Sequence, residues 1–167
     1  MVDQSKSSNS DAREQELNVA LELFHFAFRA FTAKPDQLLE ARGLQRVHHR
    51  ILYFVGRNPG IRVSGLLATL GVTKQALHAP LRQLQAMNLV QDTPDAVDKR
   101  GKCLTLTPEG VKLEAALSGA QRKLLAQVFE EAGADSEASW RTVMAQLGGQ
   151  TSKINLQQMK HSKASKE

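Results

Sequence analysis

The sequence predicts a mainly α-helical protein of the α+β class, with one small β-hairpin and long helices towards both ends. Apolar residues recur every three or four positions over most of the chain, which is the spacing of helices. Two short extended segments, at 89–90 and 103–107, flank a polar run and predict the hairpin. A chain of 167 residues, 41% of them hydrophobic and 23% charged, is long enough to bury one core.

The N-terminal part is predicted to consist of a disordered segment, residues 1–10, and a helical region, residues 11–42. A long helix starts at Asp11 and is expected to end at Lys34, because Pro35 disfavours helical backbone in the residue before it. A short helix then leads from Asp36 to Gly43. The long helix must be covered on two sides, because its apolar side chains form two stripes: Leu17, Leu21, Phe24, Phe28 and Phe31, and Val19, Leu23 and Phe26.

The middle of the chain, residues 43–112, predicts a lobe of short elements. A helix over 44–55 ends at a turn over 57–60, and residues 61–63 are a short strand candidate. Ser64 is expected to cap a helix that ends at Gly71, and Thr73 to cap a longer helix containing the stretch QALHAPLRQL. The polar run that follows is predicted to be the tip of the hairpin.

The C-terminal part, residues 113–148, is predicted to be helical, with a basic flexible tail over 149–167. Thr107 and Pro108 supply the cap and the first position of a helix that runs to Ala132. A last helix is expected over 136–147, where two glycines follow it.

The basic residues are concentrated in the middle of the chain. The net charge of the whole sequence is +5, but residues 43–112 carry ten Lys and Arg against four Asp and Glu. Residues 11–42 and 113–150 are each acidic by two charges, and residues 151–167 are basic by three. A basic centre between acidic flanks favours a lobe that binds nucleic acid, although a merely solvated basic surface has the same composition.

The order of elements over 61–106 is that of a helix-turn-helix followed by a β-hairpin wing. Such a motif places its second helix in the major groove of double-stranded DNA. In that helix a polar row lies opposite the apolar leucines, and further basic residues lie in the wing. The predicted DNA-binding residues are Arg62, Ser64, Thr73, Lys74, Gln75, His78, Arg82, Lys99, Arg100 and Lys102, and Asp98 of the wing is included on the resemblance described next.

The segment VSGLLATLGVTKQALHAPLRQLQAMNLVQDTPDAVDKRGKCLTLTPEG resembles the winged-helix region of MarR-family transcription regulators. The LGVTKQAL turn, the Asp98-Lys99-Arg100 sequence and the LTPEG motif carry the resemblance, which extends over about residues 12–148. It implies a homodimer built on the terminal helices, with two lobes on a pseudo-palindromic site. It also implies that Asp98 orients Arg100, although a turn-forming Asp is the alternative.

The resemblance further implies a repressor that a small-molecule effector releases from DNA. Family effectors are often aromatic acids that bind between the lobe and the dimerisation helices. His25, His48 and His49 are the candidates to line such a pocket, with structural or surface roles as the alternative. Two other functions stay open: an architectural DNA-binding protein with little sequence preference, and a winged-helix module that binds proteins.

Pro80 departs from an ordinary helix, since its ring and missing N–H disfavour a helix interior. It either bends the second helix to suit DNA or is tolerated because Leu81 and Leu84 pack well. The lone Cys103 could be a redox sensor or an ordinary strand residue.

Other functional classes are not expected. The sequence has no catalytic triad, phosphate-binding loop or metal motif, so neither an enzyme nor a cofactor is predicted. It has no apolar run that could span a membrane and no secretion signal, which predicts a cytoplasmic protein.

Overall fold

The computed structural model describes the backbone of residues 4–94 and 102–164, and the side chains of residues 9–94 and 102–150. Within these ranges the chain is mainly helical with one small sheet, which confirms the predicted class. The elements, in order, are α1 Gln4–Glu40, α2 Arg46–Arg57, β1 Ile61–Arg62, α3 Val63–Leu70, α4 Lys74–Ala86, β2 Val90–Pro94, β3 Lys102–Leu106, α5 Pro108–Ala132 and α6 Ala134–Ala164.

The core of the lobe lies where α2, α3 and α4 pack on the sheet and on the start of α5. It is built almost entirely of leucine, isoleucine and valine, and each fully buried side chain of this kind stabilises the fold by about 1.5–3 kcal/mol. The central buried residues are Ile51, Leu52, Val55, Leu66, Leu77, Leu84, Leu104, Leu113 and Leu117.

The sheet has three antiparallel strands in the order β1-β3-β2. Leu104 at its centre lies opposite Ile61 on one side and Asp92 on the other. Because β2 is an edge strand, Pro94 can lie in it without removing a hydrogen bond from the interior of the sheet. The strands continue further than predicted, so Asp92 and Lys102 belong to strands rather than to the tip of the hairpin.

Helix α1 continues through Pro35, so the predicted end at Lys34 and the separate short helix were wrong. Proline cannot donate the backbone hydrogen bond that the carbonyl of Phe31 normally receives. In the structure Gln121 of α5 donates its side-chain amide to this carbonyl at 3.4 Å, and the ring of Pro35 is buried. A side chain from another helix therefore offsets part of the cost of the proline.

Both terminal helices are longer than predicted. Helix α1 starts at Gln4, inside the segment expected to be disordered, and α6 passes through both glycines, 148 and 149, to Ala164. Once a helix is nucleated, each added residue gains a hydrogen bond, and a glycine costs only about 1 kcal/mol relative to alanine. A glycine therefore weakens a helix without ending it.

The predicted cap of α3 was also wrong. The helix begins at Val63, directly after β1, and Arg62 occupies the cap position in an extended conformation. Ser64 is the second helical residue and is exposed. Because β1 ends at Arg62 and α3 begins at Val63, no linker residue lies between the strand and the helix, and Arg62 takes the cap position.

The terminal helices expose many apolar side chains in the protomer. The two stripes on α1 are largely uncovered, and α5 and α6 add further exposed residues. Those at least 41% exposed are Leu17, Val19, Leu21, Leu23, Phe24, Phe26, Phe28, Val111, Val128, Trp140, Val143 and Leu147.

Candidate nucleic-acid interface

The turn between α3 and α4 is built by two local signals in the sequence. Gly71 ends α3 in the left-handed conformation, with φ of 64°, and its N–H donates to the carbonyl of Leu67 at 2.9 Å. Thr73 caps α4 by accepting a hydrogen bond from the N–H of Ala76 at 3.2 Å. The two caps fix where α4 begins and therefore which residues lie on its outer face.

Helix α4 has one buried face and one exposed face, as predicted. Leu77, Leu81 and Leu84 pack into the core, while the candidates Lys74, Gln75, His78 and Arg82 are exposed. Pro80 is the seventh residue of this helix, half-buried, and the helix continues beyond it to Ala86. The exposed face is therefore available to a partner along the whole helix.

A crevice of about 340 Å³ separates α4 from the wing strands. It brings together four of the predicted DNA-binding residues, which come from α4 and from β3: Lys74, His78, Arg82 and Lys102. Gln85 and Asp92 line the same crevice, and neither was predicted. Gln85 follows Arg82 by one helical turn, which the sequence shows, but the position of Asp92 depends on the strand register.

The remaining predicted residues lie around this crevice or outside the described residues. Arg62 on β1 pairs in register with Cys103, next to Lys102. Ser64 on α3 and Thr73 at the start of α4 are exposed. The predicted wing residues Asp98, Lys99 and Arg100 lie outside the described residues.

His48 lies in a chain of hydrogen bonds and is not among the residues that line the crevice described above or the one described next. It is buried, its Nδ1 accepts the N–H of Gln45 at 2.9 Å, and its Nε2 lies 3.0 Å from the side-chain oxygen of Gln83. Because Nδ1 is an acceptor, the ring proton is on Nε2 and donates to Gln83. Gln83 in turn donates to the carbonyl of Gly43 at 3.1 Å. This chain of bonds ties α4 to the start of α2.

A second crevice, of about 510 Å³, lies between α1, α2 and α5. Of the three histidines expected at a pocket, only His49 lines it, since adjacent helical residues point about 100° apart and His25 lies exposed on α1 beside Phe26. The lining is aromatic and basic: Phe28, Phe31, Thr32, Pro35, Asp36, Arg46, His49, Arg50, Tyr53, Arg57, Ser118, Gln121, Arg122 and Leu125.

The electrostatics of this crevice are dominated by arginines. Arg46 binds the carboxylate of Asp36 through two nitrogens, at 2.9 and 2.6 Å, and lies 5.0 Å from the ring centre of Phe28. The hydrogen bond from Arg46 lowers the pKa of Asp36 below its ordinary value. Burial lowers the pKa of His49, whose Nε2 lies 3.2 Å from the hydroxyl of Ser118.

The described residues contain neither a candidate metal site nor a helix that could span a membrane. Among the described side chains, no three of His, Cys, Asp or Glu are grouped closely enough to hold a metal ion. None of the helices in the part of the chain that the structure describes has both the length and the apolar character needed to cross a bilayer.

Comparison with known proteins identifies the family. Residues 42–101 match the MarR family. The regulator PetP of Rhodobacter capsulatus, an HTH-type transcriptional regulator, is 40% identical over 131 residues, which cover 78% of this chain and 79% of that protein.

Solved structures show the same fold at lower identity. A MarR protein from Peptoclostridium difficile is 19% identical, with a TM-score of 0.69, over 84% of this chain and 91% of that one. The Staphylococcus aureus MepR–DNA complex is 20% identical, with a TM-score of 0.62, over 77% of this chain and 96% of that one. The chain therefore belongs to the MarR family, whose members are DNA-binding winged-helix transcriptional regulators and not enzymes.

Proposed function

We propose that this regulator is a sequence-specific repressor that binds a pseudo-palindromic DNA site as a homodimer and is released by a small-molecule effector. The observation that carries the proposal is the crevice between α4 and the wing. It groups Lys74, His78 and Arg82 with Lys102, so that a helix fitted to the major groove and a strand beside it present polar and basic side chains together.

The homodimer is supported by the exposed apolar stripes of α1 and by the exposed apolar residues of α6 and of the C-terminal half of α5. Soluble proteins rarely leave such large contiguous apolar surfaces uncovered. Trp140 and Phe24, for example, are both more than 40% exposed in the protomer. A two-fold dimer would cover these surfaces and present two copies of α4 to one face of the duplex.

The tip of the wing completes the proposed interface. Lys99 and Arg100 follow Asp98 in the segment that joins β2 to β3. In this proposal Arg100 contacts phosphate or a narrow minor groove, and Asp98 orients it through a charge-assisted hydrogen bond.

The effector is proposed to be a small aromatic acid in the crevice between α1, α2 and α5. Phe28, Phe31 and Tyr53 can contact a ring, while Arg50 and Arg122 can bind a carboxylate. Titration with benzoate, as a probe of this class, is expected to weaken DNA binding. If benzoate and related aromatic carboxylates neither bind nor change DNA affinity, the effector class is wrong.

The central test is DNA selection followed by paired titrations. A duplex selected from a random pool by the purified protein is compared with a scrambled duplex at physiological salt. We expect tight binding to the selected duplex, and Arg82→Ala should weaken it about tenfold or more, whereas Arg13→Ala, on α1, should not. Equal affinity for both duplexes would indicate an architectural protein. If the protein bound neither duplex, it would be a protein-interaction module.

A further inference from the structure

Asp92 joins the wing to α4 through its two carboxylate oxygens. One oxygen lies 3.0 Å from the ammonium group of Lys102 on β3, and the other accepts a hydrogen bond from the side-chain amide of Gln85 on α4. Each oxygen therefore binds a different element. Between them they bridge the crevice that holds the basic DNA-binding residues.

The sheet register explains why these three groups meet. Asp92 lies opposite Leu104, and Lys102 is the diagonal neighbour of Asp92 on the same face of the sheet. Leu104 on that face is buried in the core, and the same face continues to the exposed Lys102, while β2, which carries Asp92, contacts α4. The Asp92 side chain is 33% exposed and the Lys102 side chain 74%, so the carboxylate is partly enclosed while its basic partner remains open to solvent.

An acidic side chain beside a DNA-binding surface is unfavourable by itself, because it repels phosphates. Among the residues that line the crevice between α4 and the wing, Asp92 is the acidic one. We propose that Asp92 is a positioning and specificity-determining residue for DNA binding, an inference that rests on the proposed function. It holds the wing strands and α4 in one relative orientation, and it keeps Lys102 from binding phosphates of unrelated sequences.

This role has two opposite consequences for DNA affinity. Fixing the orientation of the wing before binding favours the one site whose groove geometry fits both elements. Pairing Lys102 with Asp92 lowers the number of phosphates that the protein neutralises on any duplex, and so lowers non-specific affinity. A residue that only stabilised the fold would change both affinities in the same direction.

The test compares Asp92→Ala and Asp92→Asn with the wild type on selected and scrambled duplexes over a range of salt. Asp92→Ala should weaken binding to the selected site and strengthen binding to the scrambled one, lowering the ratio roughly three- to tenfold. The salt slope on scrambled DNA should steepen by about one, as Lys102 becomes free to release a counterion. Asp92→Asn keeps an acceptor for Gln85, so it should steepen the slope with a smaller loss on the selected site.

Further variants separate the proposed contacts. Adding Lys102→Met to Asp92→Asn should restore the wild-type salt slope on scrambled DNA. Adding Gln85→Ala to Asp92→Ala should cause no further loss of specificity. Glu40→Gln, which removes a remote exposed charge, should leave the ratio unchanged. Melting curves identify any variant that fails to fold, in which case Asp92→Asn decides the outcome.

Two results separate failure of this inference from failure of the proposed function. If the wild type binds both duplexes equally, the proposed sequence-specific function is wrong. If the wild type discriminates between them and folded Asp92 variants do so equally well with the same salt slope, only the role of Asp92 is overturned.

Discussion

Gly110 lies where two backbone segments of the lobe approach each other closely. It occupies the first turn of α5, where its N–H donates to the hydroxyl of Thr107 at 3.0 Å, and that hydroxyl donates to the carbonyl of Asn88 at 2.7 Å. A Cβ atom at this position would be 1.9 Å from the carbonyl oxygen of Leu89. The glycine of the LTPEG motif is therefore required by packing between α5 and the start of β2.

We expect Gly110→Ala to lower the free energy of unfolding by on the order of 1–3 kcal/mol, because backbone must shift to relieve the clash. The matched control is Gly119→Ala in the same helix, where the nearest atom is 3.9 Å away. This control should leave stability unchanged or raise it by up to about 1 kcal/mol. Urea denaturation at a fixed protein concentration measures both, and equal stability of the two variants would contradict the prediction.

His49 should make stability depend on pH in the weakly acidic range. Burial lowers its pKa in the folded protein below the ordinary 6.5, so the unfolded chain binds the proton more tightly. The contribution of His49 to the free energy of unfolding is therefore complete above pH 6.5. It is lost as the pH falls through the lower pKa of the folded state. The pKa of Asp36 is lowered from 3.8, so its contribution is lost only at more acidic pH.

Thermal unfolding measured from about pH 8 down to about pH 5 should show this loss of stability. The stability of the His49→Gln variant should depend less on pH over the same range. Asp36 does not contribute to the difference, because it titrates below this range. Parallel curves for the two proteins would contradict the assignment to His49.

At the scale of elements, the effect of Pro80 on the stability of α4 and on DNA recognition can be measured. Pro80→Ala restores an N–H for the carbonyl of Ala76 and should raise the free energy of unfolding by on the order of 1–3 kcal/mol. Denaturation measures this gain, and lower stability would contradict it. Weaker binding to the selected duplex, with scrambled-duplex affinity unchanged, would show that the proline shapes recognition. Unchanged binding to both would leave it a packing feature.

The sequence predicted those elements whose signals are local. Gly71, Thr73 and the leucines of α4 act within a few residues, so the helix-turn-helix and its exposed row could be predicted. The continuation of α1 through Pro35 could not, since the compensating Gln121 lies 90 residues from the carbonyl it binds. The contact between Asp92 and Lys102 likewise depends on strand register, and composition does not reveal register.

At the scale of the whole molecule, the uncovered faces of α1 and α6 predict a dimer whose lobes bind half-sites about 34 Å apart. Phe24→Glu places a charge within the apolar surface of α1 and should give a monomer that binds the selected duplex weakly. Val111→Glu is the control, since Val111 is as exposed as Phe24, at 53%, but lies at the start of α5, within the lobe. Light scattering at micromolar concentration measures the mass, and a monomeric wild type would contradict the prediction.

Because α1 continues through Pro35, a small change of angle near the lobe would be amplified along the length of this helix. About 31 residues lie on the N-terminal side of the proline, a length of about 46 Å at the rise of an α-helix. A tilt of about 5° at Pro35 would move the far end by about 4 Å, slightly more than the 3.4 Å between base pairs. Pro35 and Gln121 both line the crevice proposed for the effector. In the proposed dimer, a small molecule seated there would need to tilt α1 by only about this angle to shift the spacing of the two lobes by one base pair.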